Sequence, residues 1–589
     1  MQISSIADRT GRRAPSAKRS SGPNPPRLSG GLPVIGHTVE FVRSTIELLF
    51  RAQRELGEVA GLRIANKNMV ALFGAEAHEA VFRAPDNQLN PAEAYKIMTP
   101  VFGKNMVYDA SPERMDEQLK MLLPALKDHR MRTYTEIIVS EVETSIADWG
   151  DEGEIDLVDY CRVLTNYTSA HCLLGREFRH DMTDEFAEIY HALERGITPL
   201  AYINAHLPLP SFRARDKARL RLVEMIGEII EARRRSGAKG EDFLQTLIEA
   251  RYQTGMALTD DEITGMLLAA MFAGHHTSSV TTAWTLLELM QNPACCRTVV
   301  EQVDELHETS GATSFESLQG FTEGDWAVME ALRLHPPLFL LIRVVKREFE
   351  FKDYRFPAGT WLLLSPTVSQ RIPEAFEDAD CFDPQRFSTD RIKNMHPFSY
   401  IAFGGGRHKC MGNAFARLQI KAILATLLRQ YEFSSTSDPI GSDFHGLVIG
   451  PSQPCRVRYR RRQPQTIRRI PEPAGSHTTG SARAADPRPA TKPFRVVCDL
   501  DLCQSHAACM GEAPEVFRVG RVGKVSLIQE HPSPELRTKV EAAVKHCPTG
   551  TLRIEDLPTK SEASSESSDL GSDGPNDSGR GTADSGTAS

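Results

Sequence analysis

The amino-acid sequence predicts a mainly α fold with minor β, followed by a small α+β unit near the C-terminal end. Three observations lead there. Residues 31–461 alternate amphipathic helical stretches with short turn-rich segments. Residues 462–493, "RQPQTIRRIPEPAGSHTTGSARAADPRPATKP", abandon apolar periodicity and are rich in Pro, Gly, Ser and Arg, the composition of a flexible linker. From "FRVVCDL" onward, strand-like patterning resumes and compact sequence fills 494–558.

Taken in order, residues 1–30 hold no long apolar run and are expected to form a disordered N-terminal segment. The stretches "EIIVSEVETSIADWG" (136–150), "RLVEMIGEIIEARRRSG" (221–237) and "AFARLQIKAILATLLRQY" (414–431) repeat apolar residues at helical spacing. The most apolar stretch, "EITGMLLAAMFAGHHTSSVTTAWTLLELM" (262–290), is broken by two histidines and a Thr-Ser-Ser group, so it reads as a helix buried in protein. Its start carries the capping-box pattern Thr259-Asp260-Asp261-Glu262. Strand signals are fewer: "VALFG" (70–74) and "FEFKDYRFPAGTWLLLS" (349–365), the latter patterned as a hairpin with Pro-Ala-Gly near its turn. The tail 559–589 is acidic, rich in Ser, Gly and Asp, and expected to be disordered.

Bulk properties narrow the function. A net charge of −8, with no basic patch interleaved with aromatics, argues against nucleic-acid binding. Eleven cysteines in 589 residues are too sparse for a disulfide framework, which points to a reducing cytoplasm with cysteines as metal ligands or small buried hydrophobes. No stretch is apolar enough for a transmembrane segment, so a soluble chain is expected.

The most informative stretch is "YIAFGGGRHKCMGNAFARLQI" (400–420). Phe403, Gly406, Cys410 and Gly412 fit the F-x-x-G-x-x-x-C-x-G spacing of haem-thiolate loops. Glycines let the backbone turn tightly and approach a flat macrocycle. A thiolate at Cys410 would be the proximal iron ligand, donating electron density that favours O–O cleavage. A helix beginning near Asn413 would aim its N-terminus at the sulfur and favour the anion. The bland alternative is a Gly-rich turn around a structural cysteine. "EALR" (330–333) carries little weight alone, but it precedes "LHPP" and "FDPQRF" (382–387) in the order seen in the cytochrome P-450 superfamily, which this segment resembles. That resemblance implies a cytochrome P-450 fold over 31–461, haem b as cofactor, and an ion-paired network of Glu330, Arg333 and Arg386 behind the haem loop.

Two further stretches are similar to bacterial sterol 14α-demethylases. In "MFAGHHTSS" (271–279) His276 precedes Thr277 where most of the superfamily has a carboxylate; an imidazole also moves protons near neutral pH. The alternative is a packed core histidine. In "YKIMTPVFGKNMVYD" (95–109), Tyr95, Pro100, Phe102, Gly103, Val107 and Asp109 stand in the family's register. The resemblance implies catalytic roles for His276 and Thr277, and haem contacts from Phe403, Tyr95, Arg343 and His408, the last three at the propionates. It implies a sterol cavity lined by Ile97, Met98, Phe102, Phe272, Ala273, Leu338 and Leu447. Asp116 stands where the family has a propionate-binding lysine, so that partner is missing. Ile97 is smaller than the alternative Phe and leaves room for a doubly methylated C4, so a lanosterol-like substrate is expected.

"CQSHAAC" (503–509), followed by "HCPTG" (546–550), resembles small bacterial ferredoxins that hold a cluster through three cysteines. By that resemblance Cys503, Cys509 and Cys547 ligate a 3Fe–4S cluster. His506, in the slot of the absent cysteine, could ligate a fourth iron in a 4Fe–4S cluster, and a Cys₃His zinc site remains a further alternative. The whole reads as a terminal oxygenase plus electron carrier, acting on a sterol and dioxygen. No G-x-G-x-x-G fingerprint is present, so a separate NAD(P)H-dependent ferredoxin reductase is an expected partner. Two rivals stay open: the same chemistry on another polycyclic terpenoid, and a redox or ligand-binding module without turnover.

Overall fold

The computed structural model describes residues 23–463, apart from 66, 127, 181–182, 198–204, 238, 241, 393, 397, 437–440 and 446–447. Toward the C-terminus it describes 493–498, 509, 512–513, 515–519, 525–547 and 551–557. Two compact units divide at Ile467/Arg468, and each is described by itself.

The first unit is built around one long helix, Asp260–Gln291. It is apolar on nearly all sides because protein surrounds most of its length. Its start is the capping box read in the sequence: Glu262 N–H donates to Thr259 Oγ1 at 3.2 Å, and Thr259 N–H donates back to Glu262 Oε2 at 2.8 Å. The stretch 221–237 forms the C-terminal half of helix Pro210–Ser236, closed by Gly237 in the left-handed region at φ 68°. The stretch 414–431 is helix Asn413–Gln430. The predicted helix at 136–150 is displaced toward the N-terminus, running Asp128–Ser145. It stops there because Trp149 turns to stack on Tyr459 at 4.2 Å and to meet Tyr431 edge-on at 5.1 Å.

The main sheet has five strands in the order Val59–Ile64, Lys67–Leu72, Trp361–Leu364, Leu341–Val345, Leu89–Asn90. This corrects the hairpin read at 349–365. The tight hairpin is Phe349–Phe351 with Tyr354–Phe356, turning at Lys352, whose φ is 52°. Pro357–Gly359 instead leads the chain away to Trp361–Leu364, which joins the main sheet parallel to Lys67–Leu72. Trp361–Leu364 is buried throughout, so its continuous apolar run is that of an interior strand.

In the second unit, Phe494–Cys498 pairs antiparallel with Leu552–Asp556, and Phe517–Val519 with Val525–Leu527. Helix Arg537–His546 packs Val540 and Ala543 against Phe494, Val496 and Val516. Among the described residues no helix is long and apolar enough to cross a membrane.

Candidate haem-thiolate site and cluster domain

Cys410 sits on the loop ahead of helix Asn413–Gln430, with its own N–H donating to Phe403 O at 2.9 Å. That bond closes the loop and makes Phe403 its backbone anchor. Gly406, at φ 61°, is confined to glycine, since a Cβ there would lie 2.0 Å from Phe82 O. The Cys410 residue has exposed surface, yet burial pushes its thiol above the ordinary range. Hydrogen bonds from the Gly412 and Asn413 backbone, and the nearby Lys409 charge, pull in the opposite direction and favour the thiolate.

The long helix supplies the facing wall. Ala273 is exposed and Thr277, one turn later on the same face, is half-buried, whereas Ser278–Leu287 beyond them are buried. Thr277 Oγ1 donates to Ala273 O at 2.5 Å. His276 Nε2 pairs with Glu194 Oε1 from helix Thr183–Arg195. Glu194 is 82 positions away in the chain and carried no signal in the sequence. The wall packs against the thiol helix at Gly274, where a Cβ would rest 3.8 Å from Phe415, in ordinary van der Waals contact.

Ile97, Met98 and Phe102 are buried in one apolar cluster, and Phe102 meets half-buried Phe272 edge-on at 6.1 Å. Leu338 is 38% exposed. Leu447 lies outside the described residues, although its neighbours Val448 and Ile449 are buried and Ile449 N–H donates to Pro337 O at 3.0 Å.

Arg343 is buried on the sheet strand Leu341–Val345, with its guanidinium 5.9 Å from the Phe82 ring that packs on the cysteine loop. Burial pushes the Tyr95 phenol up, and the Arg343 charge pulls it back. His408 Nε2 contacts Asp86 Oδ1 at 2.7 Å, a carboxylate partner that motif reading missed. Glu330 and Arg333 are fully buried. Glu330 accepts from Arg333 at 2.7 and 2.8 Å and from Arg386 at 3.1 Å, and Arg333 also reaches the carbonyls of Gln370, Ala379 and Cys381.

The donor chemistry fits a haem: an accessible sulfur at a helix N-terminus, apolar walls, and a buried guanidinium and phenol for acidic edges. In the second unit, Cys509 and Cys547 pack in the same small core, as fits thiolates converging on one cluster. Cys503 and His506 lie outside the described residues. Cys498 is a strand residue paired with Leu552 and packs half-buried against the same small core.

A helical unit organised around such a sulfur defines the haem-thiolate class. Residues 25–456 match the family model described as cytochrome P450, and 498–554 match the 4Fe-4S single cluster domain of Ferredoxin I. The chain is 43% identical over 444 residues to the sterol 14alpha-demethylase of Mycolicibacterium vanbaalenii, covering 74% of this chain and 98% of that protein. It is 44% identical over 444 residues to that of Mycobacterium tuberculosis, with the same coverage. The structure of retinoic acid bound cyanobacterial CYP120A1 shares the fold at a TM-score of 0.67 and 24% identity, over 75% of this chain and 100% of that one. The chain belongs to the cytochrome P450 family, on its sterol 14α-demethylase branch, and carries a ferredoxin-type iron–sulfur domain at its C-terminal end.

Proposed function

We propose that this chain removes the 14α-methyl group of a lanosterol-like sterol in three successive oxygenations, releasing the carbon as formate. Electrons pass from a separate NAD(P)H-dependent ferredoxin reductase through the fused cluster, of the 3Fe–4S type, to the oxygenase. In this reading the oxygenase spans 31–461, the linker 462–493 and the ferredoxin 494–558, in the cytoplasm of a bacterium.

The observation that carries the reading is the His276–Glu194 pair, one residue before Thr277 on the helix that exposes Ala273. The carboxylate against the ring orients His276 as a proton relay, taking the place of the acid that usually precedes the threonine. The thiolate-ligated haem, when bound, supplies the activation of dioxygen. Cys410 holds that group, with Gly412 and Asn413 tempering the sulfur charge. Tyr95, Arg343 and His408 hold its propionates, and Phe403 fixes the loop. Ile97, Met98, Phe102, Phe272, Ala273, Leu338 and Leu447 orient the sterol and exclude water.

The test supplies lanosterol and obtusifoliol separately to the intact chain with a surrogate reductase. Expected are a sterol-induced shift of the ferric spectrum, one formate per demethylated lanosterol, and slower turnover of obtusifoliol. Neither a shift nor formate with any sterol overturns the proposal, and a clear obtusifoliol preference overturns its lanosterol component.

A further inference from the structure

The same corner of the long helix holds a second histidine that the oxygenase reading leaves unused. His275 is buried, and its Nε2 lies 2.9 Å from Arg162 O. A carbonyl oxygen only accepts, so Nε2 carries the proton and Nδ1 presents a bare lone pair. That Nδ1 is buried without a hydrogen-bond partner and stands 4.0 Å from Glu194 Oε1, the oxygen that His276 Nε2 also contacts. The three ligand atoms lie within 4.8 Å of one another. A ring that donates one nitrogen's proton to a backbone carbonyl and turns the other into a cluster of donors has the outer-shell arrangement of a metal-ligating histidine.

We propose that Glu194, His275 and His276 form a site for a borderline divalent cation such as Zn²⁺, and that filling it inhibits turnover. Two imidazoles and a carboxylate are a ligand set that zinc takes with a water in the fourth position. Bonds of about 2.0–2.2 Å place tetrahedral ligands roughly 3.3–3.6 Å apart, so the ion needs only small rotations of these side chains. Glu194 and His276 are each partly exposed, which leaves a route of entry. Among the described residues neither arginine nor lysine pairs with Glu194.

The other cluster of this type shows why that matters. Glu141 lies near His171 and His180, but Arg179 grips both of its oxygens at 2.9 and 2.8 Å and already neutralises the carboxylate. Inhibition follows because a cation on His276 Nε2 removes that nitrogen from proton transfer. This second half rests on the proton role proposed for His276.

The experiment dialyses the intact holoprotein, haem and cluster loaded, against buffered Zn²⁺ and counts bound zinc by elemental analysis. The Soret band of the reduced carbon-monoxide adduct checks folding. Wild type and His171→Asn should bind one equivalent more than Glu194→Gln or His275→Phe, whose affinity falls about 10–100-fold or more. Equal uptake by wild type and a folded Glu194→Gln overturns the site. Sterol turnover is then compared with and without zinc. Full turnover with the site filled overturns the inhibition and the proton role of His276 while leaving the metal site, whereas normal turnover with no uptake overturns the site alone.

Discussion

His78 illustrates how a single buried group sets a pH dependence. It lies on helix Ala75–Arg83 with no exposed surface, its Nδ1 donates to Phe398 O at 3.0 Å, and its Nε2 has no hydrogen-bond partner. Burial pushes its pKa down to about 4. The unfolded chain takes up this proton near the ordinary value of about 6.5, so between these values the unfolded state binds more protons. The contribution of His78 is therefore fully present above about pH 6.5 and lost as pH falls toward 4, to a limit on the order of 3 kcal/mol. Urea midpoints of the oxygenase, followed at the Soret band from pH 7 to 4.5, should fall for wild type and fall less for His78→Asn. Equal slopes would remove His78 from the acid sensitivity. At this scale the candidate site was legible wherever a short motif carries it, as at Cys410, Thr277 and Glu330. It was illegible where the partner is distant in sequence: Glu194 reaches His276, and Asp86 reaches His408, only because the fold brings separate segments together.

Among elements, the long helix was legible from its apolar run and its cap, which are local properties of sequence. The turn of the 349–365 segment was not. Pro-Ala-Gly is turn chemistry, but Lys352 makes the hairpin turn, and the residues after Gly359 are claimed by the main sheet. Packing between elements was equally hidden, and Gly265 is its sharpest case. A Cβ at Gly265 would lie 2.1 Å from Phe102 O and 3.2 Å from Met106, so the short helix Thr99–Phe102 rests directly on the long helix through this glycine. The obstacle is backbone, which cannot swing aside as a side chain can. Gly265→Ala should therefore displace Thr99–Phe102, cost about 1–3 kcal/mol, and weaken the sterol-induced spectral shift through Phe102. The intrinsic helix preference of Ala over Gly, about 1 kcal/mol, works in the opposite direction. A variant of unchanged or higher urea midpoint, with unaltered sterol titration, would show that the contact yields at no cost.

For the whole molecule, the question is what covalent fusion adds. Arg462 is bound into the oxygenase: its guanidinium meets Asp304 at 2.9 and 2.5 Å and Leu428 O at 2.8 Å, and its N–H donates to Gln430 O at 2.8 Å. Arg462, read from composition as the first linker residue, thus packs with the oxygenase, and a cut after it keeps that clamp while removing 463–493 and the ferredoxin. The composition of 462–493 predicts an r.m.s. span of roughly 30 Å, and a tether of that kind holds a partner at an effective concentration in the mM range. Detaching the cluster domain and supplying it at about 1 µM should then slow reductase-driven lanosterol turnover by about two to three orders of magnitude where electron delivery limits the rate. Raising the detached domain toward mM should restore it, with the carbon-monoxide spectrum of the cut oxygenase unchanged throughout. A cut chain that turns over at the intact rate without the detached domain would mean that electrons reach the haem by another route, and the tether would then need a different explanation.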